Sequence, residues 1–283
     1  MTIGLPASGV PVEVSGVLGA ERRALVELLH DLDAAGWSAR TACPAWSVHE
    51  LSVHLVHDDL RRLSAQRDGH PGAWADVSGL DELVVELDRI NEEWVDVMAP
   101  TLSPRLVIAI LEWLSDPSEQ HLLALDGNAL GANVAWAGSE AHPNWLDVAR
   151  EYTERWVHQQ QVRDAVGVPG LTDERFVAPV VETFASALPM ALPESAEGAS
   201  VAVWVTGPFE RSWRLVSTPS GWVFTSDTTP PATTVVEVPV DAFWRRAVRL
   251  LSHSEAARAA HVRGDPQLGA AVLDLRAAIV GDG

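Results

Sequence analysis

Glu154 and His158 stand four residues apart in a segment with helical periodicity, so both project from one face and could grip one ion together. A second helical segment carries His49, His54, His57 and Asp58. His54 sits between Leu51 and Leu55, on or beside the stripe that must face inward. Alone, each pattern has an ordinary reading. A Glu-x-x-x-His pair is usually a solvated face, and a histidine beside an apolar stripe is usually a satisfied core or boundary residue. A bundle would join them, because metal sites in bundles are built from residues projecting inward from different helices. Two imidazoles and a carboxylate leave the fourth position of a tetrahedral ion open, as in a catalytic and not a structural zinc site. Water bound there would become acidic, giving a hydrolase or lyase. A thiol bound there would lose its proton and become a nucleophile at neutral pH. A third alternative is a non-enzymatic binding protein that carries an apolar ligand in its C-terminal part. Residue chemistry alone does not choose among the three.

The elements that must position these groups divide into two kinds. Apolar residues at Leu25, Leu28 and Leu29 predict a helix over Glu21 to Leu32. Ser47 and Glu50 form an S-x-x-E capping box that starts a second helix, running to about Ser64. A loop rich in Gly, His and Pro follows over Asp68 to Gly79, then a helix over Asp81 to Met98. Two shorter helices follow, Arg105 to Trp113 and Ser118 to Leu125. Asp147 to Val166 is a long helix stopped by Gly167, with Pro169 beyond. After a helix at Pro179 to Leu188 with proline in its first turn, the pattern changes. Ser200 to Thr206, Ser212 to Ser217, Gly221 to Ser226 and Thr233 to Val238 are short, rich in Val, Trp and Thr, and separated by Gly or Pro turns. Helices return at Asp241 to Leu251 and Pro266 to Ile279. The expected fold is a helical bundle over residues 1–168 followed by a smaller α+β domain over 169–283.

Composition narrows the partners. With 47% hydrophobic and 21% charged residues the chain is globular. A net charge of -19 repels phosphate backbones and anionic surfaces, which argues against nucleic acid. No run of eighteen apolar residues and no basic-then-apolar leader is visible, so neither a membrane span nor a secretory signal is expected. The single cysteine, Cys43, excludes a disulfide within the chain and fits a cytoplasmic protein. All 20 basic residues are arginine, and Ala, Val and Leu abound, as GC-rich codons produce. That bias points to a high-GC bacterium such as an actinomycete.

Taken together, Gly36-Trp37, Thr41-Ala-Cys43-Pro-Ala-Trp46-Ser-Val-His-Glu-Leu-Ser-Val-His54-Leu and Glu154-Arg-Trp-Val-His158-Gln-Gln-Gln-Val-Arg-Asp164-Ala-Val-Gly167 resemble the mycothiol-dependent maleylpyruvate isomerase family. Val203-Trp-Val-Thr-Gly207-Pro, Pro239-Val-Asp-Ala-Phe-Trp244 and Val262-Arg-Gly-Asp265-Pro extend the resemblance to that family's sterol-carrier-like C-terminal domain. The resemblance implies a DinB-like four-helix bundle. It also implies a divalent metal, usually taken as zinc, held by a histidine of the second helix and a Glu-x-x-x-His pair of the last. Those positions match His54, Glu154 and His158. The open site is then expected to take the thiol of mycothiol, which adds to a small electrophile for cis–trans isomerisation, transfer or exchange, including steps of secondary metabolism.

The chain also departs from the family. Gln159, Gln160 and Gln161 follow His158 where the isomerase helix continues towards a Val-Asp pair. The C-terminal arginine that meets a substrate carboxylate in the isomerase has no fixed counterpart; Arg245, Arg246, Arg249 and Arg263 are the candidates. Cys43 reads as packing near a helix start. Trp46 or Trp156 could line a pocket. His57 and Asp58 could orient a ligand or substrate, although a solvated face is the simpler reading of Asp58.

Overall fold

The computed structural model describes residues 11–43, 46–70, 80–138 and 140–277. Most of the loop expected at 68–79 lies outside these residues, as do Pro44, Ala45 and Ile279. Packing gathers the backbone into two compact units. One joins Val14–Gly127 with Glu151–Phe176; the other joins Asn128–Arg150 with the chain from Val177 onward. The units interleave along the chain. The boundary at 168–169 is a division of the sequence, and we keep it as a proposal.

The first unit is helical. It contains α1 (Leu18–His30), α2 (Ala34–Ser38), α3 (Val48–Arg62), α4 (Leu80–Met98), α5 (Pro104–Ala124) and the larger, C-terminal part of α6 (Asn144–Val166). The capping box forms as expected. The Ser47 hydroxyl accepts the Glu50 N–H, and the Glu50 carboxylate accepts the Ser47 N–H. This fixes the first residue of α3 and therefore which side chains face inward along it. Leu25 and Leu29 of α1, Leu51 and Leu55 of α3, and Val107, Leu111 and Leu114 of α5 meet in one core, each set at the spacing of a helical face. α3 ends in a π-helical turn at Leu63–Arg67.

Two prolines behave differently from the expectation. α5 is one helix with Pro117 inside it, where two short helices were expected. The proline removes the N–H that would meet the Trp113 carbonyl, and Trp113 lies on the exposed face, where water can serve that carbonyl. Similarly α7 (Glu174–Ala185) begins ahead of Pro179 and holds it in its interior, not in its first turn. The short α2 leaves no periodic signal in the sequence.

The second unit is built on a five-stranded sheet of order β3-β2-β1-β4-β5. Its strands are β1 (Ser200–Thr206), β2 (Arg211–Thr218), β3 (Gly221–Phe224), β4 (Thr234–Pro239) and β5 (His261–Arg263). β1 and β4 pair in parallel, the other neighbours antiparallel. Val201, Val203 and Val205 of β1, Leu215 of β2 and Val236 and Val238 of β4 have no exposed surface, so alternate residues of the central strands form the core face. α8 (Leu188–Ala191), α9 (Val240–Ala247), α10 (His253–Ala259) and α11 (Pro266–Leu273) complete the unit. α10 and β5 are likewise too short for periodicity to reveal. The architecture is thus a helical N-terminal part followed by an α+β part.

Charge lies inside the helical unit. The Asp59 carboxylate of α3 is 1% exposed and is held at 2.7 Å by Arg22 of α1 and at 2.7 Å by Arg155 of α6. Arg62 reaches Glu151 at 2.8 Å, and Arg155 also reaches Glu151 at 3.4 Å. Glu21 is wholly buried beside them, and neither of its oxygens has a hydrogen-bond partner. Buried ions reward only one register, in which each finds its counter-charge. The ionic network therefore sets how α1, α3 and α6 align, and with them the residues one turn away.

Candidate functional site

His54 lies on α3 five residues before Asp59, and is buried at 5% exposure. His158 lies on α6 one turn after Arg155. The two imidazoles meet edge to face, centroids 5.0 Å apart at 82°. Glu154 is the partner expected from spacing: its Oε2 is 3.9 Å from His158 Nε2. The structure thus brings the three residues singled out in the sequence into one neighbourhood, on two helices.

Four further residues join them. Asp58 Oδ2 stands 3.1 Å from His54 Nε2, so Asp58 is a partner of the site histidine and not a residue of a solvated face. The Gln161 amide oxygen accepts from His158 Nδ1 at 2.8 Å and from the Cys43 thiol at 3.4 Å. Trp46 lies against His54, ring centroids 4.9 Å apart. The same i,i+4 rule that pairs Glu154 with His158 also points to Asp58. Gln161 carries a sequence signal only as a departure from the family, and Cys43 reads in sequence as packing alone.

The loop that brings Cys43 and Trp46 here is clipped by Thr41. Its N–H and hydroxyl both donate to the Trp46 carbonyl, at 3.1 and 2.8 Å, and its hydroxyl accepts the Cys43 N–H at 3.2 Å. Thr41 therefore holds both Cys43 and Trp46, the first beside Gln161 and the second against His54.

The other sequence candidates lie elsewhere or are engaged. His49 Nε2 bonds the Leu102 carbonyl at 2.8 Å and its ring meets Trp37, so it anchors the start of α3. His57 stacks on Trp94, centroids 4.6 Å apart and 8° from parallel. Trp156 is fully buried and bonds the Leu171 carbonyl, a core residue and not a pocket wall. In the sheet unit, Arg245 pairs with Asp241 and Arg263 with Glu237. Arg246 and Arg249 donate to the carbonyls at the end of α11, Leu273 for the first and Asp274 and Leu275 for the second. All four are accounted for by partners within their own unit.

Electrostatics separate the two site histidines. Burial lowers His54 to about 4, against the pull of Asp58, so it is neutral with a lone pair to offer. Burial also opposes charge on His158, but Cys43, Glu154 and Gln161 outweigh it and lift His158 to about 9. His54 Nδ1 is buried with no hydrogen-bond partner. Two imidazoles, a carboxylate and an orphaned ring nitrogen fit a divalent ion in donor chemistry. Among the described residues, however, no three His, Cys, Asp or Glu side chains are grouped to hold one ion as they stand. They pair instead with one another and with Gln161.

Among the described residues no helix is long and apolar enough to cross a membrane. Two solved structures are similar to this chain. The crystal structure of the mycothiol-dependent maleylpyruvate isomerase is 13% identical, covering 87% of this chain and 91% of its own, with a TM-score of 0.48. A histidine-to-alanine mutant of that isomerase is 12% identical at the same coverage, with a TM-score of 0.47. No curated protein matches. The family model described as the mycothiol maleylpyruvate isomerase N-terminal domain matches residues 18–163, just over half of the chain and all of the residues gathered at the site. With His54, Glu154 and His158 inside that span, the chain belongs to the mycothiol maleylpyruvate isomerase N-terminal domain family.

Proposed function

We propose that this chain is a metal-dependent enzyme that activates a small-molecule thiol, mycothiol in the first instance, for addition to an electrophilic small molecule. The net outcome is isomerisation, transfer or exchange. The observation that carries this reading is the meeting of His54 with His158 and Glu154 across two helices, inside the stretch matched by the family. His54, Glu154 and His158 are the residues that would hold the ion, zinc being the best fit to an N/O donor set. Such an ion, when bound with a position open, makes a thiol acidic enough to act as a nucleophile at neutral pH.

The chain's own residues supply the rest. Asp58 stands against His54 and fixes the ring. Trp46 covers His54 with an apolar face that keeps bulk water from it. Glu154 stands beside His158 Nε2, and Gln161 holds that ring through its other nitrogen. The domain division at 168–169, a cytoplasmic setting, an actinomycete source and a role in secondary metabolism belong to the same proposal. They rest on the sequence patterns, the single cysteine and the arginine-only basic set.

Purified protein should contain about one equivalent of divalent metal and consume a conjugated electrophile only with added thiol. His158→Ala should lose both metal and thiol-dependent turnover. Turnover indifferent to thiol would overturn the reading in favour of water activation. Full activity in a metal-free His158→Ala protein would remove the metal from it.

A further inference from the structure

The run Gln159-Gln160-Gln161 follows His158 directly on α6, and its three members are buried and used differently. Gln160 spends its amide oxygen on the Leu171 N–H at 3.0 Å, which ties down the chain beyond the helix. Gln159 has no hydrogen-bond partner at either amide atom. Gln161 points to the site. Its Oε1 receives His158 Nδ1–H at 2.8 Å, well within hydrogen-bond range, and the Cys43 thiol at 3.4 Å.

An amide oxygen can only accept, so this contact requires a proton on His158 Nδ1 and turns Nε2 the other way. Nε2 is the nitrogen that faces Glu154. One atom of Gln161 therefore keeps a proton on Nδ1, leaves Nε2 as the nitrogen that would exchange its proton for a metal ion, and sets the ring angle. The same oxygen ties that choice to the Thr41-clipped loop, because Cys43 sits on it. Histidine ligands in general owe their orientation and basicity to such a partner on the far nitrogen.

We propose that Gln161 is the positioning residue of this site, holding His158 with Nε2 presented for ligation and locking it to the Cys43 loop through one shared acceptor. The proposal rests on the reading that His158 is a metal ligand. It adds that a residue outside the ligand set, in a run where the family pattern differs, sets the strength of that ligand.

The test titrates zinc into metal-free full-length protein against a chromogenic chelator. The wild type, His158→Ala, Gln161→Leu and Gln161→Glu are compared, with unfolding curves for each. Gln161→Leu keeps the bulk and loses the acceptor; it should weaken zinc about 10- to 100-fold. Gln161→Glu keeps the acceptor and should stay within a few-fold of wild type, a rescue that simple loss of packing would not give. Wild-type zinc affinity in Gln161→Leu, with His158→Ala defective, overturns the role of Gln161 alone. Equal zinc binding by wild type and His158→Ala, or none by wild type, overturns the ligand reading and this proposal with it. Wild-type protein also offers a measurement independent of any variant's folding. Its His158 Nδ1 proton should give a downfield NMR resonance protected from exchange with water. Absence of that resonance overturns the proposal.

Discussion

The two units solve the problem of an interior in opposite ways. In the sheet unit, apart from Asp147, the buried polar residues on the described strands and helices are hydroxyls such as Thr183, Ser200, Ser217 and Thr234, set among valines. In the helical unit the interior holds Glu21, Arg22, Asp59, Arg62, Glu151 and Arg155, beside His54 and three glutamines. A β core of branched residues gains stability from each side chain separately, by area removed from water. An ionic interior gains it only as a set, since each ion costs heavily unless its partner is in place. Within the helical unit, the ionic interior borders the candidate site. Register-dependent pairing suits a place where imidazoles from different helices must meet at a fixed separation.

The sharpest way to break this comparison is Asp59→Ala, which leaves Arg22 and Arg155 buried without their shared carboxylate. The expected loss is about 3–5 kcal/mol in denaturant unfolding, together with loss of zinc binding as α3 and α6 slip. A loss below about 1 kcal/mol would show that the ionic network is not structural. The counterpart in the sheet unit is Leu215→Ala, which opens a cavity in a fully buried position. It should cost about 2–5 kcal/mol and leave zinc affinity of the folded protein unchanged. A change in that affinity would mean the two interiors are not separable.

A finer contrast comes from pH. Burial raises Glu21 to about 7, with Asp59 adding to the rise and Arg22, Arg155 and Arg163 opposing it. The folded state therefore holds the Glu21 proton more tightly than the unfolded state. The stability this gives is complete below about 4.5 and is lost as pH rises through about 7. The tighter hold on this one proton is equivalent to roughly 3 kcal/mol, given up across that window. Glu21→Gln should flatten this part of the stability curve and be the more stable protein well above the Glu21 titration. An unchanged slope would show that Glu21 is not its source.

Much of this was legible in the sequence, and the failures share a cause. The capping box places α3 to the residue, and Val-, Trp- and Thr-rich runs between turns locate β1 to β4. Rules of this kind read neighbours along the chain. Pro117 and Pro179 mislead the same reading, because a proline can stand inside a helix where the carbonyl it leaves unbonded is open to water. At the site, Glu154 with His158 is an i,i+4 pair and stands out as one. His54 with Asp58 is another, hidden because an aspartate late in a helix reads first as a solvated residue. The contacts of Cys43, Trp46 and Gln161 depend on how a loop and two helices align. That alignment is set by buried charges which look, in sequence, like ordinary polar helix positions.

Cys43 is the chain's only sulfhydryl, partly exposed and within reach of Gln161. A thiol-selective label therefore reacts at one place in the molecule, and that place adjoins the histidines. Labelling rates can report on occupancy of the site without any engineered handle. By the same token, alkylating reagents and the mercaptan reductants of a routine purification are not inert bystanders for this protein: they act where its own chemistry is expected to take place.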